Sequence, residues 1–200
     1  MKKIILILIT LLLTGCEYIE LNDLSIIKSI GIDYQNNKYT LYAEIIDEIN
    51  EENTPTTKVI STSQENIEKC FKELIILSNK TIHYSHIDLL ILSTNLENNN
   101  LEEIFNYFLK SKNFRNDFLT VASSNVSSLI EDSKYDEVEQ LIENNQHQEL
   151  INVDIEDVIK DYLDSKSFTL SLLEYENNNV LYKYNVKYQN NEVIKIDRKD

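Results

Sequence analysis

Cys16 is the residue best placed for covalent chemistry. It closes the run Leu13-Thr14-Gly15-Cys16, which follows Lys2, Lys3 and an apolar stretch over 4–13. A basic start, a short apolar core and small residues ahead of a cysteine read as a secretory signal ending in a lipobox. The chemistry this implies is attachment of lipid to the Cys16 sulfur and cleavage between Gly15 and Cys16. The mature chain would begin at Cys16, exported but tethered to the outer face of a membrane. A transmembrane helix is one rival, but this apolar stretch covers about half of a bilayer core that needs roughly 20 residues. A signal peptide cut without lipidation is the other, and the cysteine at this position argues against it. A diacylglycerol anchor carries two chains, which hold a protein stably where one does not.

The remaining candidates are weaker. With Cys16 lipidated, Cys70 is left alone and no disulfide framework can form. It lies beside Phe71 in an expected helix and reads as a buried, inert thiol, since nothing local would lower its pKa. His83 and His86 have metal-like spacing, with Asp88 close by. Such a pair shares one face of a helix but opposite faces of a strand, and this stretch leads into a strand. A metal would need a further ligand from afar, so no metal ligand is assigned. No catalytic residue is assigned either. The carboxylates show no acid–base pairing, and Glu51-Glu52 and Glu102-Glu103 read as solvated. Tyr182, Tyr184 and Tyr188 are expected on one strand face, as sheet packing or as a partner-binding surface.

Composition narrows the classes. The net charge is −15, and −17 once residues 1–15 are removed. This argues against nucleic acid, which calls for clustered Lys and Arg. It also argues against electrostatic docking on anionic lipid, leaving the lipid tail to supply attachment. With two glycines and one proline, Gly-rich phosphate loops are excluded. The size suits one domain or two small ones, with enough Ile, Leu and Tyr for a core.

These residues sit among legible elements. Residues 17–24 read as a short polar leader. Residues 25–33 and 38–49 form a hairpin around Gln35-Asn36-Asn37, and Gly31 marks a bulge or a close backbone approach. A polar loop over 50–57 carries Pro55, and 58–62 form a short strand. Thr62 and Glu65 read as a capping box for a helix whose face carries Ile67, Cys70, Phe71, Leu74 and Leu77. The apolar run 87–92 reads as a strand covered on both faces. A second helix over 101–110 turns Ile104, Phe105, Phe108 and Leu109 inward. Residues 118–122 form a strand, and Asn125 caps a short helix through Ile130. Residues 136–150 read as a solvated helix or a loop, and a sub-boundary is possible near 135–150. A third helix spans 153–163. The strands 168–173, 180–188 and 192–196, with turns at 177–179 and 189–191, end the chain as a β-meander. The expected fold is α+β: a mixed β-sheet with two to three amphipathic helices packed on it.

The opening Gly15-Cys16-Glu17-Tyr18-Ile19-Glu20-Leu21-Asn22-Asp23, followed by Gly31-Ile32-Asp33 at the end of the first strand, resembles the Ger(x)C family of spore germination lipoproteins. The helix ending near Ser78, the strand led by His86-Ile87-Asp88, the helix over 101–109, Phe114-Arg115 and the late hairpin around Tyr184 to Ile194 are similar to the family in the same order. Glu17-Tyr18 departs from the family's usual Trp-Asp. Family members continue into a further C-terminal domain, which is expected to be absent beyond Asp200. The resemblance implies a non-enzymatic, lipid-anchored C subunit of a nutrient germinant receptor. Such a subunit works on the outer face of the inner spore membrane with multi-spanning A and B subunits. It needs no cofactor beyond the lipid on Cys16. The candidate partner-binding residues are Glu20, Leu21, Asn22, Asp23 and His86. Two alternatives are a solute-binding or envelope-associated lipoprotein, which would need an enclosed pocket, and an envelope hydrolase, which would need a nucleophile–base pair or a metal.

Overall fold

The structure, a computed structural model, describes residues 24–49, 55–131, 135–143 and 150–196. Gly15, Cys16, the 20–23 segment, and the Glu51-Glu52 pair lie outside the described residues. The elements are β1 (Leu24–Gln35), β2 (Lys38–Ile49), β3 (Pro55–Gln64), α1 (Ile67–Ser78), β4 (Thr81–His83), β5 (Leu89–Ser93), α2 (Asn98–Lys110), β6 (Leu119–Ser123), α3 (Val126–Ile130), α4 (Tyr135–Glu143), α5 (Ile155–Ser165), β7 (Ser167–Glu176), β8 (Asn179–Gln189) and β9 (Glu192–Ile196).

One mixed sheet runs β3-β2-β1-β5-β6-β7-β8-β9, with β4 also on β1. Its centre is parallel and its flanks are antiparallel hairpins. The centre is parallel because helices intervene between successive strands, which lets each strand be buried on both sides. All five residues of β5 are buried, as its unbroken apolar run requires. The flanks fold back through Asn36-Asn37, Asn177-Asn178 and Asn190-Asn191, all at positive φ. That is the backbone of a two-residue type I′ turn. Asn supplies it in a chain with only two glycines.

Both faces of the sheet are covered. One core joins Ile27, Ile30, Ile32 and Leu41 to Phe71 of α1, Phe105 of α2 and Tyr162 of α5. The other joins Ile91, Val121 and Leu173 to Val126 and Leu129 of α3 and Val138 of α4. The fold is therefore α+β as expected, with helices on both faces. The solvated reading of 136–150 misses Val138, which is fully buried.

Several local expectations shift. Pro55 is not in the loop but opens β3, an edge strand whose first residue tolerates a missing N–H. The cap of α1 is Asn66, whose Oδ1 accepts the Lys69 N–H at 2.9 Å. Thr62 instead donates to the Cys70 carbonyl, and Glu65 pairs with Lys69. Leu77 and Leu109 point outward, 52% and 56% exposed, while Leu101 takes an inward place in α2. Tyr182, Tyr184 and Tyr188 do not share a face. Leu172 pairs with Tyr184 but Leu173 pairs with Tyr182, so Lys183 is an extra residue in β8 and inverts the alternation. Tyr184 and Tyr188 join the first core, and Tyr182 the second.

Candidate functional site

The parallel strands give the domain an amino end, where β1, β4 and β6 start, and a carboxyl end, where they finish. Candidate residues His83 and His86 lie at the amino end. Leu24, Ser25 and Ile26 pair with Thr81, Ile82 and His83, and Ser29 with Leu89. The neighbouring chain thus spends six residues against three of β1. The surplus becomes a loop over 84–88. It tucks Tyr84 and Ile87 inward and leaves His86 exposed. The strand accordingly begins at Leu89, not at Ile87. Asp88 fixes the loop through its backbone: its N–H donates to the Lys28 carbonyl at 2.8 Å, and its carbonyl accepts from Leu119 at 3.0 Å. Burial pushes the Asp88 carboxyl up, against the opposing pull of Lys28, Arg115 and His86. Arg115 forms a two-point pair with Asp117 at 2.8 and 2.6 Å.

Beside this loop, α1 and α2 finish with apolar side chains in water. Ile75, Ile76 and Leu77 are 48%, 74% and 52% exposed, and Leu109 is exposed in the last turn of α2. These are four of the seven exposed large apolar side chains among the described residues. A hollow of about 830 Å³ opens here between Ile75, Ile76, Lys80, Ile82, Tyr84 and Asn113. Below it lies an aromatic cluster centred on Phe71, which stacks on Tyr107 at 4.5 Å and meets Phe108, Phe114 and Tyr84 edge-on. Burial pushes the Tyr84 hydroxyl up to about 12, so it stays protonated.

The carboxyl end is built differently. Glu103 accepts from the Tyr39 hydroxyl and from the Ile67 N–H, both at 2.9 Å. It caps α1 from a neighbouring helix and is not simply solvated. Glu174 accepts the Ser124 N–H at 2.7 Å and the Ser123 hydroxyl. Asp33 accepts from Tyr34, Gln35 and Asn95. Hollows of about 530 and 520 Å³ flank Ser124, but the Glu174 and Asp33 carboxylates on their walls are already engaged.

Cys70 is fully buried, with its thiol toward the Tyr39 carbonyl at 3.5 Å. Burial raises its pKa. Gly31 is a close approach: a Cβ there would lie 2.4 Å from Val126 Cγ1 of α3. The bulge in β1 is at Lys28 instead. Sequence reading missed Glu44. It is 1% exposed, with one oxygen accepting the Ser29 hydroxyl at 2.7 Å and the other without a partner. Strand alternation puts Glu44 on the Tyr42 face, which is covered by the second core and not open to water. Among the described residues no group of three or more His, Cys, Asp or Glu could hold a metal, and no helix is long and apolar enough to cross a membrane.

The domain is an α+β sheet whose carboxyl-end carboxylates are engaged in hydrogen bonds and whose amino end is apolar. Residues 17–175 match the family described as the spore germination protein N-terminal domain. The chain belongs to that family, and residues 17–175 correspond to the N-terminal region of Ger(x)C-type spore germination proteins. Among solved structures it is similar to one described as the crystal structure of the GerBC protein, at 14% identity and a TM-score of 0.43. The similarity covers 83% of this chain and 50% of that one, so this chain spans about half the length of its structural relative. No curated protein matches it significantly.

Proposed function

We propose that the chain is a lipid-anchored, non-enzymatic subunit of a germinant receptor. It is tethered through Cys16 to the outer face of the inner spore membrane and works by docking on multi-spanning A and B subunits. The family match over residues 17–175 carries this reading. It begins at Glu17, directly after the cysteine that would open a mature, acylated chain. The outward His86 loop and the 20–23 segment, which leads into β1, supply the docking surface. The test is purification of the tagged full chain from spore membranes in mild detergent. A stoichiometric multi-spanning partner is expected. Recovery of the chain alone, with partner genes expressed, would refute docking. A solute-binding role predicts a ligand-induced rise in melting temperature across amino acids and sugars; the docking reading predicts none.

A further inference from the structure

Three consecutive exposed apolar residues are out of place on a soluble surface unless something covers them. Ile75, Ile76 and Leu77 are such a run, and they flank the point where the chain enters the fold, since Thr81 and Leu24 pair. Cys16 stands eight residues before Leu24. An extended chain gains at most ~3.6 Å per residue, so an acylated Cys16 could hold Leu24 no more than about 29 Å from the bilayer. The charge around the run is also unlike the rest of the chain. Residues 74–87 and 104–116 contain none of the 34 acids of the sequence but carry Lys80, Lys110 and Lys112, besides the Arg115 that pairs with Asp117. The fold brings these two segments together, since Asn113 and Lys80 line the same hollow as Ile75, Ile76 and Tyr84.

We propose that this amino end seats directly on an anionic lipid bilayer. Ile75, Ile76 and Leu77 enter the boundary between headgroups and acyl chains, and Lys80, Lys110 and Lys112 meet lipid phosphates. The proposal rests on the tether reading above and adds an orientation to it. The domain stands with its strand starts toward the membrane and the Glu174 and Asp33 networks away from it. A membrane-spanning protein would supply apolar cover, but Lys80, Lys110 and Lys112 beside the apolar run favour phosphate-bearing lipid. Interfacial side chains of this kind reach ~5–10 Å into the headgroup–acyl boundary.

The test places an environment-sensitive thiol probe on Ile76→Cys, or on Asn99→Cys at the far end of α2, in the full chain purified from membranes. Each is reconstituted on vesicles of phosphatidylcholine and phosphatidylglycerol with brominated acyl chains. Cys70 is buried, and an acylated Cys16 takes no label, so the unsubstituted chain is the control. Quenching at position 76 several-fold above position 99, reduced on pure phosphatidylcholine and by Lys80→Gln/Lys110→Gln/Lys112→Gln, supports the proposal. Equal quenching at both positions on vesicle-bound protein overturns it. So does quenching at 76 that appears only when a multi-spanning subunit is added, which would assign the patch to that partner. Labelling of the unsubstituted chain at Cys16, with loss from vesicles, would instead overturn the tether reading itself.

Discussion

The two ends of the sheet are made by the same strands and finish in opposite ways. At the carboxyl end the polar groups are turned on one another: Glu103 and Glu174 each accept two hydrogen bonds from neighbouring segments, and Asp33 accepts from Tyr34 and Gln35 of its own strand and from Asn95. At the amino end α1 and α2 stop with Ile75, Ile76, Leu77 and Leu109 in water, above a closed aromatic cluster. Carboxyl ends of parallel strands are where α/β proteins usually hold small ligands. Here the carboxylates at that end are taken up by the fold, and the end that faces outward chemically is the one the proposed tether at Cys16 would reach. An exposed feature that adds nothing to folding points to a partner; a buried one that folding needs does not.

That contrast can be broken in a definite order. Phe71→Ala, beneath the amino end, removes the ring that organises four aromatic neighbours and should destabilise by about 3–5 kcal/mol, read as a fall in denaturant midpoint. Glu174→Leu, at the carboxyl end, leaves the Ser124 N–H and Ser123 hydroxyl unpaired and should cost about 1–3 kcal/mol with no effect on membrane binding. Gly31→Ala drives a methyl into Val126 and should cost a similar ~1–3 kcal/mol; a neutral result would mean that α3 shifts freely. By contrast, Ile75→Ser/Ile76→Ser/Leu77→Ser should change stability by no more than about 0.5 kcal/mol per site while weakening vesicle contact. A large stability loss there would make the run part of the core and dissolve the contrast. The smallest effect concerns pH. Because burial raises the Asp88 pKa in the folded state, the fold binds that proton more tightly than the unfolded chain. Asp88 therefore contributes stability as pH falls through its raised value, and withdraws it as pH rises. Asp88→Asn should flatten that slope in chemical denaturation between pH 7 and pH 4, and an unchanged slope would deny Asp88 the role.

Much of this was legible in the sequence. The Asn-Asn turns, the amphipathic helices and the unbroken apolar run of β5 announced a sheet with antiparallel flanks, a parallel centre and packed helices. What escaped were features that one extra residue or one distant neighbour decides. The Lys183 bulge separates Tyr182 from Tyr184, and the helix cover over the second sheet face buries Glu44. Glu103 reads as solvent-facing until Tyr39 and Ile67 arrive from other elements. Whole-chain charge pointed away from anionic lipid, because −15 averages over an acidic chain in which residues 74–87 and 104–116 carry no acid at all. Periodicity reports which face of a helix packs but not where that face ends: in the last turns Ser78 and Phe108 are buried, while the adjacent Leu77 and Leu109 stand in water.

Both halves of the comparison depend on the chain being held at its amino end. The most direct test is intact mass analysis of the protein recovered from membranes of the cells that make it. The account predicts a chain that begins at Cys16 and carries a diacylglycerol-type adduct on that residue, lost together with membrane partitioning in Cys16→Ser. A chain still carrying residues 1–15, or one cleaved there with a free Cys16 thiol, would contradict it.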